Sequence, residues 1–129
     1  MNDPMFSSGP SGSAIPRCDG FYHARSESGD CTYMVRFYPD GEVITVSVAD
    51  GWSPSSIMGW FHRRDPDVSR GPYVVLGTSV SFTSSCSYGR VDYSGFLVDG
   101  VLKLSSLSQI NGNYEVDRVY DFARVSSSL

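Results

Sequence analysis

Two-residue turn signals at short, regular spacing constrain this chain more than any other feature. Asp99-Gly100 sits between Val98 and Val101, and Asn111-Gly112 stands just ahead of a run that begins at Tyr114. Such pairs accept the positive φ angles of tight hairpins, so each one folds the chain back on itself. A third turn, "YPDGE" from Tyr38 to Glu42, places Gly41 where a three-residue hairpin needs a left-handed residue. It pairs Tyr38 with Glu42 and Phe37 with Val43, which puts Tyr33, Val35, Phe37, Val43, Thr45 and Ser47 on one face.

Between the turns, apolar and polar residues alternate with the period of a strand. Gly20 to Arg25 and Cys31 to Tyr38 flank "SESG", a register that sets Cys31 opposite Ala24. Glu42 to Val48 follows, and "PYVVL", "SVSFTS" and "SYGRVDYSGFLV" supply three more strands. In the last of these Val91, Tyr93, Gly95 and Leu97 share a face with Leu102 and Leu104, and the other face carries Arg90, Asp92, Ser94 and Lys103 as a solvated exterior should, with Phe96 as the exception. The final strand runs from Tyr114 to Val125. Strict alternation there directs Tyr114, Val116, Arg118, Tyr120, Phe122 and Arg124 inward and leaves Glu115, Asp117, Val119, Asp121 and Ala123 outside.

One segment breaks the pattern. Ser53 reads as a helix N-cap with Pro54 in the first turn, and Ile57, Trp60 and Phe61 recur at helical spacing. The helix is expected from Pro54 to His62, because Asp65 precedes Pro66 and leaves helical space. Its apolar stripe is expected to cover one mouth of the domain. Should Trp52, Trp60 and Phe61 instead be exposed, they would mark a partner surface such as a homodimer.

The resulting fold class is all-β: an eight-stranded antiparallel up-and-down β-barrel with one short helix between strands 3 and 4. Its 129 residues suffice for one domain, with a flexible tail over residues 1–16, the barrel over 17–125 and a short tail over 126–129. Closure predicts that Gly20 to Arg25 pairs antiparallel with Tyr114 to Arg124. A net charge of −4 argues against nucleic acid as a partner. Residues 1–16 lack the pattern of an export signal and no apolar run approaches a membrane span, so a cytoplasmic location is expected. Three cysteines without metal-ligand spacing read as free thiols. Two histidines exclude a His-rich metal site, and neither metal nor cofactor is expected.

The chain resembles a lipocalin-like member of the calycin group. "GFY" at Gly20 to Tyr22 is similar to the Gly-x-Trp that opens the first lipocalin strand, and Arg124 resembles the arginine packed over that aromatic ring. Arg118-Val119-Tyr120 is similar to the Arg-x-Tyr on the last strand of fatty-acid-binding proteins. The resemblance implies that Arg118 and Tyr120 face the barrel interior and anchor a ligand carboxylate.

An inward arginine needs an anionic ligand, an internal acid or access to water at the barrel mouth. The first of these makes the protein a binder of a small hydrophobic or amphipathic molecule with a polar or anionic end. Arg118, Tyr120, Tyr93, Tyr33, Phe37, Trp60 and Thr45 are then the ligand-contacting residues. The alternatives are a cofactor-independent barrel enzyme of cyclase or isomerase type, or an interaction module with a packed interior. For the enzyme, Asp92 with Tyr93, or His62 with Asp65, are the candidate acid–base pairs.

Overall fold

A computed structural model describes residues 15–124. Eight strands are joined in chain order: β1 (Gly20–Arg25), β2 (Thr32–Phe37), β3 (Glu42–Val48), β4 (Ser69–Leu76), β5 (Ser79–Cys86), β6 (Gly89–Val98), β7 (Val101–Ser108) and β8 (Tyr114–Arg124). Each pairs antiparallel with its neighbour, and β8 returns to β1, so the sheet is a closed up-and-down barrel. The short helix α1 (Pro54–Met58) lies between β3 and β4. The expected tails fall almost wholly outside the described residues.

The hairpins form where local chemistry calls for them. Phe37 faces Val43 and the Tyr38 N–H donates to the Glu42 carbonyl, with Gly41 at φ 97°. Asp99 and Gly100 both take positive φ, which sets Val98 against Val101 and Leu97 against Leu102. The first hairpin departs from expectation. Ser26, not Ala24, lies opposite Cys31, because the Ser26 N–H donates to the Cys31 carbonyl across a longer turn closed by left-handed Gly29.

The inward face of the barrel carries one apolar cluster. Tyr22, Val35, Phe37, Val43, Phe82, Leu97, Leu102, Leu104 and Tyr120 are buried in it, with Tyr33, Tyr73, Tyr93 and Phe122 packed against it. Tyr22 stands edge-on to Phe37 and to Phe122 at the end where β1 begins. The Arg17 N–H donates to the Tyr22 hydroxyl, and the Arg17 guanidinium lies 4.1 Å from the centre of the Phe122 ring. The arginine expected over the closed-end aromatic was Arg124. That side chain instead lies at the end of β8, largely exposed and 3.5 Å from Asp19, and Arg17 takes the place over the ring of Phe122.

A second apolar cluster lies outside the barrel wall. Phe21, Met34 and Ile44 are the residues of β1, β2 and β3 that face away from the interior, and Ile57, Phe61 and Val68 bury against them. The Ser53 cap forms a capping box with Ser56, and the helix stops at Gly59, short of the expected His62. Its stripe is buried as expected, but on the outer face of β1–β3 and not over a mouth. Trp52 and Trp60 are part of this cluster and Phe61 is fully buried, so none of the three forms an exposed partner surface.

Candidate functional site

β1 and β8 close the barrel through only four residue pairs, Gly20 to His23 with Arg124 to Asp121. Beyond His23 the two strands are no longer paired, and side chains take over the closure. Leu104 of β7 faces Arg118, but Ser106 faces Glu115, so β8 carries one extra residue at this point. That residue is a β-bulge: Asp117 adopts φ 50°, and its N–H donates to Ser105 Oγ at 3.0 Å.

The bulge reverses the expected alternation over the first residues of β8. Tyr114 and Val116, expected inside, are 60% and 55% exposed, whereas Glu115, expected outside, is buried. Past the bulge the expected alternation holds, with Tyr120 and Phe122 inward. Arg118 therefore meets an internal acid. Its Nη2 lies 2.5 Å from Glu115 Oε1, and the Tyr33 hydroxyl donates to Glu115 Oε2 at 2.9 Å. Among the readings of the inward arginine, the internal ion pair at the rim is the arrangement found. Burial pushes the Glu115 carboxyl up, but hydrogen bonds from Arg118 and Tyr33 outweigh it and hold the group below its ordinary range. The same contact, after burial, raises the Tyr33 hydroxyl.

Next to this bridge the barrel mouth opens into a cavity of about 340 Å³. Tyr33 and Ser47 line one side; Tyr93, Ser106 and Ser108 line the other, and Asn111 of the β7–β8 turn reaches over it. The space exists because serines occupy inward positions that hold leucines farther along the same strands, as Ser106 does against Leu104 and Leu102. At depth, Thr45 and Ser84 share a 2.7 Å hydrogen bond, and Tyr93 stacks on Phe82 with ring centres 4.5 Å apart. Burial pushes the Tyr93 hydroxyl up to about 12, against a hydrogen bond with Thr45 that lowers it. Outside the bridge, along the unpaired part of β8, lies an open groove of about 690 Å³ that includes Arg25, Tyr114 and Arg118.

The structure thus places Tyr33 and Tyr93 on one cavity, with Thr45 beneath it, bonded to Ser84 and Tyr93, and Arg118 held behind Tyr33 through Glu115. Tyr120 is buried deeper, where burial and the neighbouring Tyr93, Tyr33 and Glu115 raise its hydroxyl far above the ordinary range. Phe37 belongs to the aromatic plug at the opposite end, edge-on to Tyr73 and Phe82. Trp60 stands outside the wall, away from the interior. Asp92 and Tyr93 do not combine as acid and base, because adjacent residues of a strand face opposite ways: Asp92 is outside, bonded to Thr83 and Gln109. Nor do His62 and Asp65, whose recorded contact is the Asp65 N–H on the His62 carbonyl.

Sequence reasoning missed Glu115, Ser106, Ser108 and Asn111. Glu115 was hidden by the bulge. The serines carried a usable signal, since Ser106 and Ser108 continue the inward parity of Leu102 and Leu104. Among the described residues no cluster of three or more His, Cys, Asp or Glu could hold a metal ion, and no helix is long and apolar enough to cross a membrane.

The closed eight-stranded antiparallel up-and-down barrel is consistent with the broad calycin class of barrels. The chain matches no protein-family model, none of the curated proteins and none of the solved structures with which it was compared.

Proposed function

We propose that this barrel binds a small, uncharged molecule in the mouth cavity between β2 and β6–β7. The observation that carries the reading is the cavity of about 340 Å³ lined by tyrosine rings and neutral hydroxyl and amide groups. Its volume lies at the lower end of small-molecule pockets, which combine apolar walls with a few placed polar groups. An anionic end on the ligand loses its main attraction, because Glu115 already balances the Arg118 charge. In this reading Tyr33 and Tyr93 touch the ligand, Thr45 orients Tyr93, and Arg118 acts through Glu115. Three free cysteines accord with the expected cytoplasmic setting.

The test is saturation-transfer NMR with 1-naphthol. Wild-type protein should transfer saturation to the probe, and Ser106→Phe, which places a ring in the cavity, should abolish the transfer with an unchanged circular dichroism spectrum. No transfer in wild type, or full transfer in the variant, overturns the reading.

Self-association has its own supporting observation. Leu76, Phe96, Val98 and Val101 share the outer face of β4, β6 and β7, and Leu76 and Phe96 are 74% and 52% exposed. Sedimentation equilibrium on wild type and Phe96→Glu tests it: a dimer that dissociates in the variant supports association, and a monomeric wild type removes it.

A further inference from the structure

Resting on the binding reading above, we infer that the cavity selects neutral molecules that present a hydrogen-bond donor to Tyr33 and an acceptor to the β7–β8 turn. A tyrosine hydroxyl has one proton, and that of Tyr33 goes to Glu115 Oε2 at 2.9 Å. Glu115, ion-paired with Arg118, has no proton to give back. The Tyr33 oxygen therefore offers only lone pairs to any occupant.

The opposite wall has the reverse polarity. Ser108 Oγ accepts from the N–H groups of Ile110 at 3.2 Å and Asn111 at 3.4 Å. Asn111 Oδ1 accepts from the Asn113 N–H at 2.9 Å. Backbone N–H groups can only donate, so these bonds fix which way the side chains are used. Both lone pairs of Ser108 Oγ are taken and one of the two on Asn111 Oδ1, so the groups left free are weighted toward donors: the Ser108 hydroxyl proton and the two amide protons of Asn111. β2 and the β6–β7 pair stand on opposite sides of an eight-stranded ring, so the two polarities face each other across the mouth. Among the described residues no charged side chain lines the space between them. A flat molecule with N–H at one end and C=O at the other meets both walls.

The probes are 4-quinolone, which has that arrangement, and N-methyl-4-quinolone, which lacks the donor. Both are titrated against wild type, Tyr33→Phe and Glu115→Ala. Tyr33→Phe should weaken 4-quinolone about three- to tenfold, the scale of one neutral hydrogen bond, and change the N-methyl compound less than twofold. Glu115→Ala keeps Tyr33 but frees its proton, so the preference for 4-quinolone over its methyl derivative should shrink; it also serves if Tyr33→Phe fails to fold. Equal losses for both compounds in Tyr33→Phe, no loss for either, or an undiminished preference in Glu115→Ala overturns the inference. If 1-naphthol binds while 4-quinolone shows no preference, this inference falls alone. If none of the three compounds binds wild type, the cavity reading falls with it.

Discussion

Replacing Arg118 with methionine tests what holds the unpaired part of the β1–β8 seam together. Methionine keeps much of the apolar bulk but leaves the Glu115 carboxylate, 7% exposed, with Tyr33 as its remaining partner in the bridge. Stranding one member of a fully buried pair costs about 3–5 kcal/mol. Here Arg118 is 27% exposed and water reaches the rim, so the scale of a single hydrogen bond to a charged group, about 2 kcal/mol, is the better value. For a domain of this size that lowers Tm by about 8 °C. The deficit depends on pH with a definite sign. Glu115 titrates below its ordinary value in the folded wild type, so its stabilisation is present above the unfolded pKa and lost as pH falls through the folded one. In acid a protonated Glu115 needs no cation, and the gap between wild type and variant should close. Replacing both partners, as Glu115→Leu with Arg118→Met, removes the stranded charge and should recover most of the loss. Thermal unfolding of the three proteins from pH 7 down to about pH 3, below the ordinary carboxylate range, measures all of this. An Arg118→Met protein as stable as wild type at pH 7, or a double variant no better than the single one, would refute the reasoning.

Three further outcomes follow from the packing. A Cβ at Gly95 would collide with the Lys103 carbonyl oxygen of the paired strand, so Gly95→Ala should lower the urea midpoint or prevent folding, whereas Gly100→Ala, with nothing near its Cβ, should cost only the strain of its positive φ. Phe61→Ala should cost about 3 kcal/mol by chemical denaturation, the lower end for a buried phenylalanine, and leave 1-naphthol binding intact because its cluster lies outside the wall. Burial beside Trp52 and Phe21 lowers the His23 pKa below its ordinary value, against the opposing influence of Asp121. The unfolded chain then takes up the proton first as pH falls past about 6.5, so wild-type Tm should drop through that window and His23→Leu should flatten the profile.

What could be read in advance was whatever depends on neighbours along the chain. Asp99-Gly100 and Gly41 need particular φ values, and those needs fix the turn, the register and therefore which residues share a face. The bulge at Asp117 has no comparable signature. Aspartate tolerates the left-handed region well enough to adopt it, but nothing in "EVDRV" demands that it should, and one such residue exchanges the faces of everything before it. The position of α1 was misread for a different reason. An apolar stripe says that a helix is buried, not against what. The missing clue stood in the strands: Phe21, Met34, Ile44 and Val46 make the second face of β1–β3 apolar as well, and a sheet apolar on both faces must be covered on both.

That second covered face bears on why a cavity can persist at the mouth. A small barrel normally fills its interior with large side chains, and here the end near Tyr22, Phe37 and Tyr73 does so. The other end holds Ser47, Ser106 and Ser108, which contribute little apolar burial and leave the space open. Ile57, Phe61 and Val68 supply burial elsewhere, outside the wall, at about 1.5–3 kcal/mol for each large apolar side chain withdrawn from water. Their cluster grips the wall formed by β1, β2 and β3, including the strand that carries Tyr33, while among the described residues β6 and β7 on the far side of the mouth have no such backing. The rigid wall therefore presents the acceptor, and the donors sit on the unbacked side at the tip of the β7–β8 turn. A ligand that bridges the two would draw the turn toward β2, so the protection of the Asn111 to Asn113 amides against hydrogen exchange should rise on binding while that of β1–β3 stays level.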